Sequence, residues 1–106
     1  MQNGLYQAAL STNGRIGTGV VVLNEGLVRG GDSSMFYTGT YTTDLERITA
    51  KIFVRPHTDV DTPVLGIPSA TLTLVGSLSG DQIELRGHVA ELPTTHVKIN
   101  LRRLSD

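Results

Sequence analysis

The sequence has no cysteine, which excludes disulfides, thiolate zinc sites and cysteine nucleophiles. Charge of one sign is lacking too: nine basic residues stand against ten acidic ones, for a net charge of -1. The basic footprint of a nucleic-acid binder is therefore missing. No apolar run approaches the ~20 residues that a membrane-spanning helix needs. Met1-Gln2-Asn3-Gly4 shows no basic region followed by an apolar stretch, so the chain is expected to be soluble, unexported and cytoplasmic. Nor does any segment repeat apolar residues at i, i+3, i+4 and i+7 between a cap and a stop, so no long helix is predicted.

What is present is a globular composition. Hydrophobic residues are 39% and charged residues 18% of 106 positions, which makes one domain over residues 1–106 and is too apolar for disorder. Val, Ile and Thr are frequent, with 12 glycines and 4 prolines, a mixture that suits pleated strands and tight turns. Turn formers recur at Asn13-Gly14, Asn24-Glu25-Gly26, Gly30-Gly31-Asp32, Thr43-Asp44, Pro56-His57, Gly66-Ile67-Pro68, Ser79-Gly80-Asp81 and Leu92-Pro93. Between them the predicted strands are Leu5–Ser11, Ile16–Leu23, Leu27–Arg29, Met35–Thr42, Arg47–Arg55, Ala70–Leu78, Gln82–Ala90 and His96–Arg103, the third short enough to be a bend.

Several of these alternate. Ile48, Ala50, Ile52 and Val54 share a face, as do Ile83, Leu85 and Val89, and Val97, Ile99 and Leu101. One dry and one wet face on successive hairpins predicts an all-β fold, a single small antiparallel up-and-down barrel of about eight strands. Strands of about seven residues, tilted by roughly 40°, give a wall only ~18 Å high. Ala9, Gly17, Gly19 and Ala50 are expected on the inner face, so a filled core and a modest apolar cavity both fit. Thr58–Ser69 does not alternate, and it carries Val60, Val64, Leu65 and Ile67. An apolar loop of that length is expected to cross the barrel mouth as a lid or to meet a second subunit. Val20, Val21 and Val22 are apolar on both faces of their strand, which points to a homodimer. Val20 and Val22 thus join the four loop residues as candidate cavity or interface positions.

Catalytic patterns are weak. His57-Thr58-Asp59-Val60-Asp61 places an imidazole and two carboxylates in one loop, but the further ligands of a metal site are missing and a polar turn explains it as well. His88 and His96 are expected as cross-strand neighbours on the wet face, without a third ligand. No serine stands in a Gly-x-Ser-x-Gly elbow, and Gly17-Thr18-Gly19 leads into a strand rather than a helix. Phe36, Tyr37 and Tyr41 are better read as core and interface than as stacking platforms, because Phe36 and Tyr37 alternate onto opposite faces. Composition and motifs together predict a non-enzymatic protein with no cofactor and no metal.

The N-terminal two-fifths hold an ordered pattern: Asn3-Gly4-Leu5-Tyr6, Gly17-x-Gly19-Val20-Val21, Asn24, Gly30-Gly31-Asp32 and Tyr37-x-Gly39. It resembles the GrlR family, negative regulators of type III secretion genes in bacteria. Beyond Thr42 the similarity is one of strand pattern and length. Locally, Gly30-Gly31 would supply positive φ at a sharp turn and Asp32 would accept backbone N–H bonds there. Gly17, Gly19 and Gly39 would allow close backbone approach. Tyr6 and Tyr37 would anchor adjacent strands, their hydroxyls meeting polar partners.

The resemblance implies a lipocalin-like barrel, a homodimer and regulation by binding a transcriptional activator through an acidic run after the Tyr-x-Gly strand. It also implies room for a lipid-like ligand. Here the run is diluted to Asp44-Leu45-Glu46 followed by Arg47, and Asp44 and Glu46 are the partner-binding positions carried over. The alternative function is a small carrier or sensor of a lipophilic ligand.

Overall fold

A computed structural model describes residues 3–59 and 65–106. Its strands are β1 (Gly4–Thr12), β2 (Arg15–Asn24), β3 (Leu27–Gly31), β4 (Met35–Asp44), β5 (Arg47–Pro56), β6 (Ala70–Ser79), β7 (Gln82–Val89) and β8 (Leu92–Ser105). Each pairs antiparallel with the next, and β1 returns to β8, so the sheet closes. The all-β up-and-down barrel read from alternation is the fold observed. Closure removes the exposed strand edges that would otherwise template pairing with other chains.

The inner face follows the apolar period. Ile48, Ala50, Ile52 and Val54 of β5, Leu72 and Leu74 of β6, Ile83, Leu85 and Val89 of β7, and Val97, Ile99 and Leu101 of β8 are all buried. On β1 the inward residues are Tyr6, Ala8 and Leu10. Ala8, not Ala9, therefore faces the interior; Tyr6 is the large residue that sets the phase. The strands β2, β4, β5 and β6 each run to 10 residues. At that length a wall tilted by about 40° rises roughly 25 Å, taller than seven-residue strands allow.

Other boundaries shift for local reasons. The third segment is a full strand, and Gly30-Gly31 lie inside it rather than at a turn. Neither has a positive φ. Their smallness serves packing instead: a Cβ on Gly30 would lie 2.0 Å from the Val20 carbonyl oxygen of the neighbouring strand. The eighth strand begins at Leu92, not His96. The β7–β8 register shifts between His88 and Val89, and Val89 pairs with Leu92. Pro93 thus sits where no β7 residue asks for its missing N–H.

The two barrel ends differ. At one, the β2–β3, β4–β5 and β6–β7 hairpins turn, and Tyr6 is buried there in a hydrogen bond with Arg103. The Arg103 guanidinium continues to Asp106 Oδ1 at 2.6 Å and to the Asn3 carbonyl at 3.3 Å. At the other end lie the β1–β2, β3–β4 and β7–β8 turns and the long β5–β6 connection. Thr12 Oγ1 donates to the His96 carbonyl at 2.8 Å. Glu91 accepts from Thr71 N at 2.7 Å and Thr71 Oγ1 at 2.9 Å, pinning the start of β6 where the chain re-enters the sheet.

Candidate functional site: a hollow interior and an exposed hairpin tip

The barrel is hollow. An apolar cavity of about 110 Å³ runs between the strands, walled by Ala8, Ala50, Leu72, Leu74, Leu85 and Ile99 among others. Small residues on β1, β2 and β5 leave this space, because Ala8, Gly17 and Ala50 do not reach the barrel axis. Leu65 and Ile67 of the β5–β6 connection complete the wall, and Leu65 is as buried as the core strands. Val60 and Val64 lie outside the described residues. Val20 and Val22 take no part in the cavity, since they alternate with inward Val21 and stand on the outer surface at 44% exposure each.

Among the described residues, polar groups in the wall are few: Asp32, Tyr37 and Tyr41. The β3–β4 turn fixes the first. Asp32 Oδ1 accepts from Ser34 N at 2.9 Å and Met35 N at 2.8 Å, an Asx-type turn that makes up for the short connection. Tyr37, five residues on, donates its hydroxyl to Asp32 Oδ2. Burial alone would raise the Asp32 carboxyl, but Tyr37, the Ser34 and Met35 amides and the nearby His57 ring outweigh it and hold the group below its ordinary value. Burial and the Asp32 carboxylate both push the Tyr37 phenol above its ordinary value.

Part of the N-terminal glycine pattern belongs to this unit. A Cβ on Gly19 would lie 2.9 Å from the Tyr37 hydroxyl and 2.8 Å from the Gly31 carbonyl, so the bare backbone is what lets the phenol lie across β2. A Cβ on Gly39 would lie 2.1 Å from the Lys51 carbonyl. Gly19, Gly31 and Tyr37 therefore pack with Asp32 as one corner, Gly30 is pressed against β2, and Gly39 is pressed against β5 instead. Gly4 and Tyr6 are at the far end, where a Cβ on Gly4 would meet the Ser105 carbonyl at 2.5 Å. Tyr6 and Tyr37 do reach polar partners, but their strands are not adjacent: β2 and β3 lie between β1 and β4.

The remaining candidates separate. His57 turns to the Asp32 corner, with Nε2 at 2.9 Å from the Asp32 carbonyl oxygen and its own N–H donating to the Ser34 carbonyl at 2.9 Å. Asp61 lies outside the described residues, and among those described no three metal-ligating side chains gather. His88 and His96 are direct cross-strand partners, as the alternation predicts. Asp44 and Glu46 flank the β4–β5 tip, where Asp44 pairs with Arg47. Between them Leu45 is 92% exposed, with a φ of 57°. Sequence reasoning noted Leu45 only as a spacer; its exposure follows from turn geometry, which alternation does not encode. Compared with known proteins, the chain matches no family model and no curated protein.

Proposed function

We propose that this barrel is a non-enzymatic regulatory module that works by protein contact, in the class of the negative regulators that sequester a transcriptional activator. The observation that carries the reading is Leu45. It is a large apolar side chain at the first of two hairpin-loop residues, where a left-handed backbone favours glycine. It projects into solvent between Asp44 and Glu46. An L-residue in that conformation costs roughly 1–2 kcal/mol. A strained, apolar, acid-flanked tip on a rigid barrel is suited to seating in a partner's pocket, with the carboxylates meeting a basic rim. Capture from the producing cell tests it. The native chain should retain a protein that a chain carrying Asp44→Lys and Glu46→Lys does not; equal retention by both, or none by either, removes the reading.

A second copy of the chain is the occupant proposed for the outer face of β2–β4. Val20, Val22, Leu27 and Phe36 all stand exposed on that face. Gly31 lies opposite both Val20 and Phe36 in the ladders and leaves a flat strip between them.

The hollow interior supports a second reading, in which the barrel also holds a small lipophilic ligand. Its volume of about 110 Å³ is below the ~300–1,000 Å³ of drug-sized sites, so the occupant is small. Filling the space with Ala50→Val should abolish uptake without unfolding the chain.

A further inference from the structure

We propose that the cavity selects its occupant by head group: it takes a short aliphatic alcohol or amine and rejects the corresponding carboxylate. The proposal rests on the ligand-holding reading above and adds the chemical class. Among the described residues the wall is apolar except at Asp32, Tyr37 and Tyr41. The Tyr37 hydroxyl hydrogen is committed to Asp32 Oδ2, and Asp32 Oδ1 is held by the Ser34 and Met35 amides. What this corner presents to a ligand is therefore acceptor capacity only: the remaining lone pairs of Oδ2 and of the Tyr37 oxygen. A hydroxyl or ammonium hydrogen can use them. A carboxylate brings no donor and sets a second negative charge against Asp32 in an apolar surround, where like charges are poorly screened. Tyr41 lies toward the opposite end and brings no positive charge to balance Asp32.

Size sets the chain length. An apolar cavity of about 150 Å³ in another protein takes up benzene. At about 110 Å³, this one is smaller, so its ligand is smaller than benzene and four-carbon probes are appropriate. Leu65 and Ile67, which belong to a connection rather than a strand, complete the wall.

The test is a titration of the full chain at neutral pH with butanol, butylamine and butanoate, read by the methyl resonances of Leu72, Leu74 and Ile99. Butanol and butylamine should shift these methyls, with butanoate weaker by at least about tenfold, the scale of one uncompensated charge contact. Asp32→Asn removes the charge and keeps an acceptor, and should bring butanoate to within about threefold of butanol. Tyr37→Phe, which leaves the turn amides bonded to Asp32, is the second variant and should weaken butanol while butanoate stays excluded. Butanoate binding the native chain as well as butanol does would overturn the head-group rule and leave the ligand-holding reading standing. Unmoved methyls with every probe would overturn both.

Discussion

Asp32 and Tyr37 show how a few residues tie a turn to the inside of a barrel wall. The phenol can cross β2 because Gly19 has no side chain, and the carboxylate that receives it is already oriented by two amides. The ionisation behaviour is a direct consequence. The phenols of Tyr37 and Tyr6, both raised mainly by burial, should titrate above free tyrosine in an ultraviolet pH titration. Asp32→Asn should move one of them part of the way back; all phenols ionising at the free value would contradict the corner. Asp32 is held below its ordinary value, so the stability it contributes is present above the unfolded-state pKa. That stability is lost as the pH falls through the lower, folded value. At Gly30, a new Cβ would collide with backbone rather than with a movable side chain. Gly30→Ala should therefore cost about 2 kcal/mol or more in denaturant unfolding. That Asp32 would accept turn amides and that the Tyr37 hydroxyl would meet some polar partner were legible in the sequence; that the partner is Asp32 was not. The role of Gly30 was not, because a glycine needed for φ and one needed for close approach look alike until the neighbouring strand is placed.

Strands and hairpins were the most legible level. Turn formers bounded the strands, the third only as a possible bend, and two-residue alternation in the later ones located the dry face and the His88–His96 pair. It failed where the ladder is irregular, at Leu92-Pro93, and it was silent about the tip of β4–β5. That hairpin carries a prediction in which two effects nearly cancel. Leu45→Gly releases roughly 1–2 kcal/mol of backbone strain. The added freedom of the unfolded chain offsets about 0.4–1 kcal/mol of that. The variant should thus have an unchanged or slightly higher Tm by thermal unfolding. It should still lose partner capture, since the apolar anchor is gone. A clear fall in Tm would mean that Leu45 is structural and its exposure incidental.

The molecule as a whole is a closed wall around a small apolar cavity, with different equipment at each end. The Tyr6–Arg103 contact fills one end below the β4–β5 tip, and Leu65 and Ile67 cover the other near Asp32. The barrel itself could be read from the sequence; whether it was hollow could not, because Ala8 and Ala9 exchange roles with a one-residue change of phase. The outward Val20 and Val22 predict self-association. Light scattering should give twice the 11.4 kDa chain mass, and Val20→Lys with Val22→Lys should return a folded single chain. A native chain that stays single at high concentration would remove the second copy from the account. The central claim is that the acid-flanked tip is the contact surface. Its most direct test places a photo-crosslinking amino acid at position 45 in the producing cell, and separately at exposed Thr94 toward the opposite end. The account predicts a discrete heavier adduct from position 45 and none from position 94. No adduct from position 45, or the same adduct from both, would contradict it.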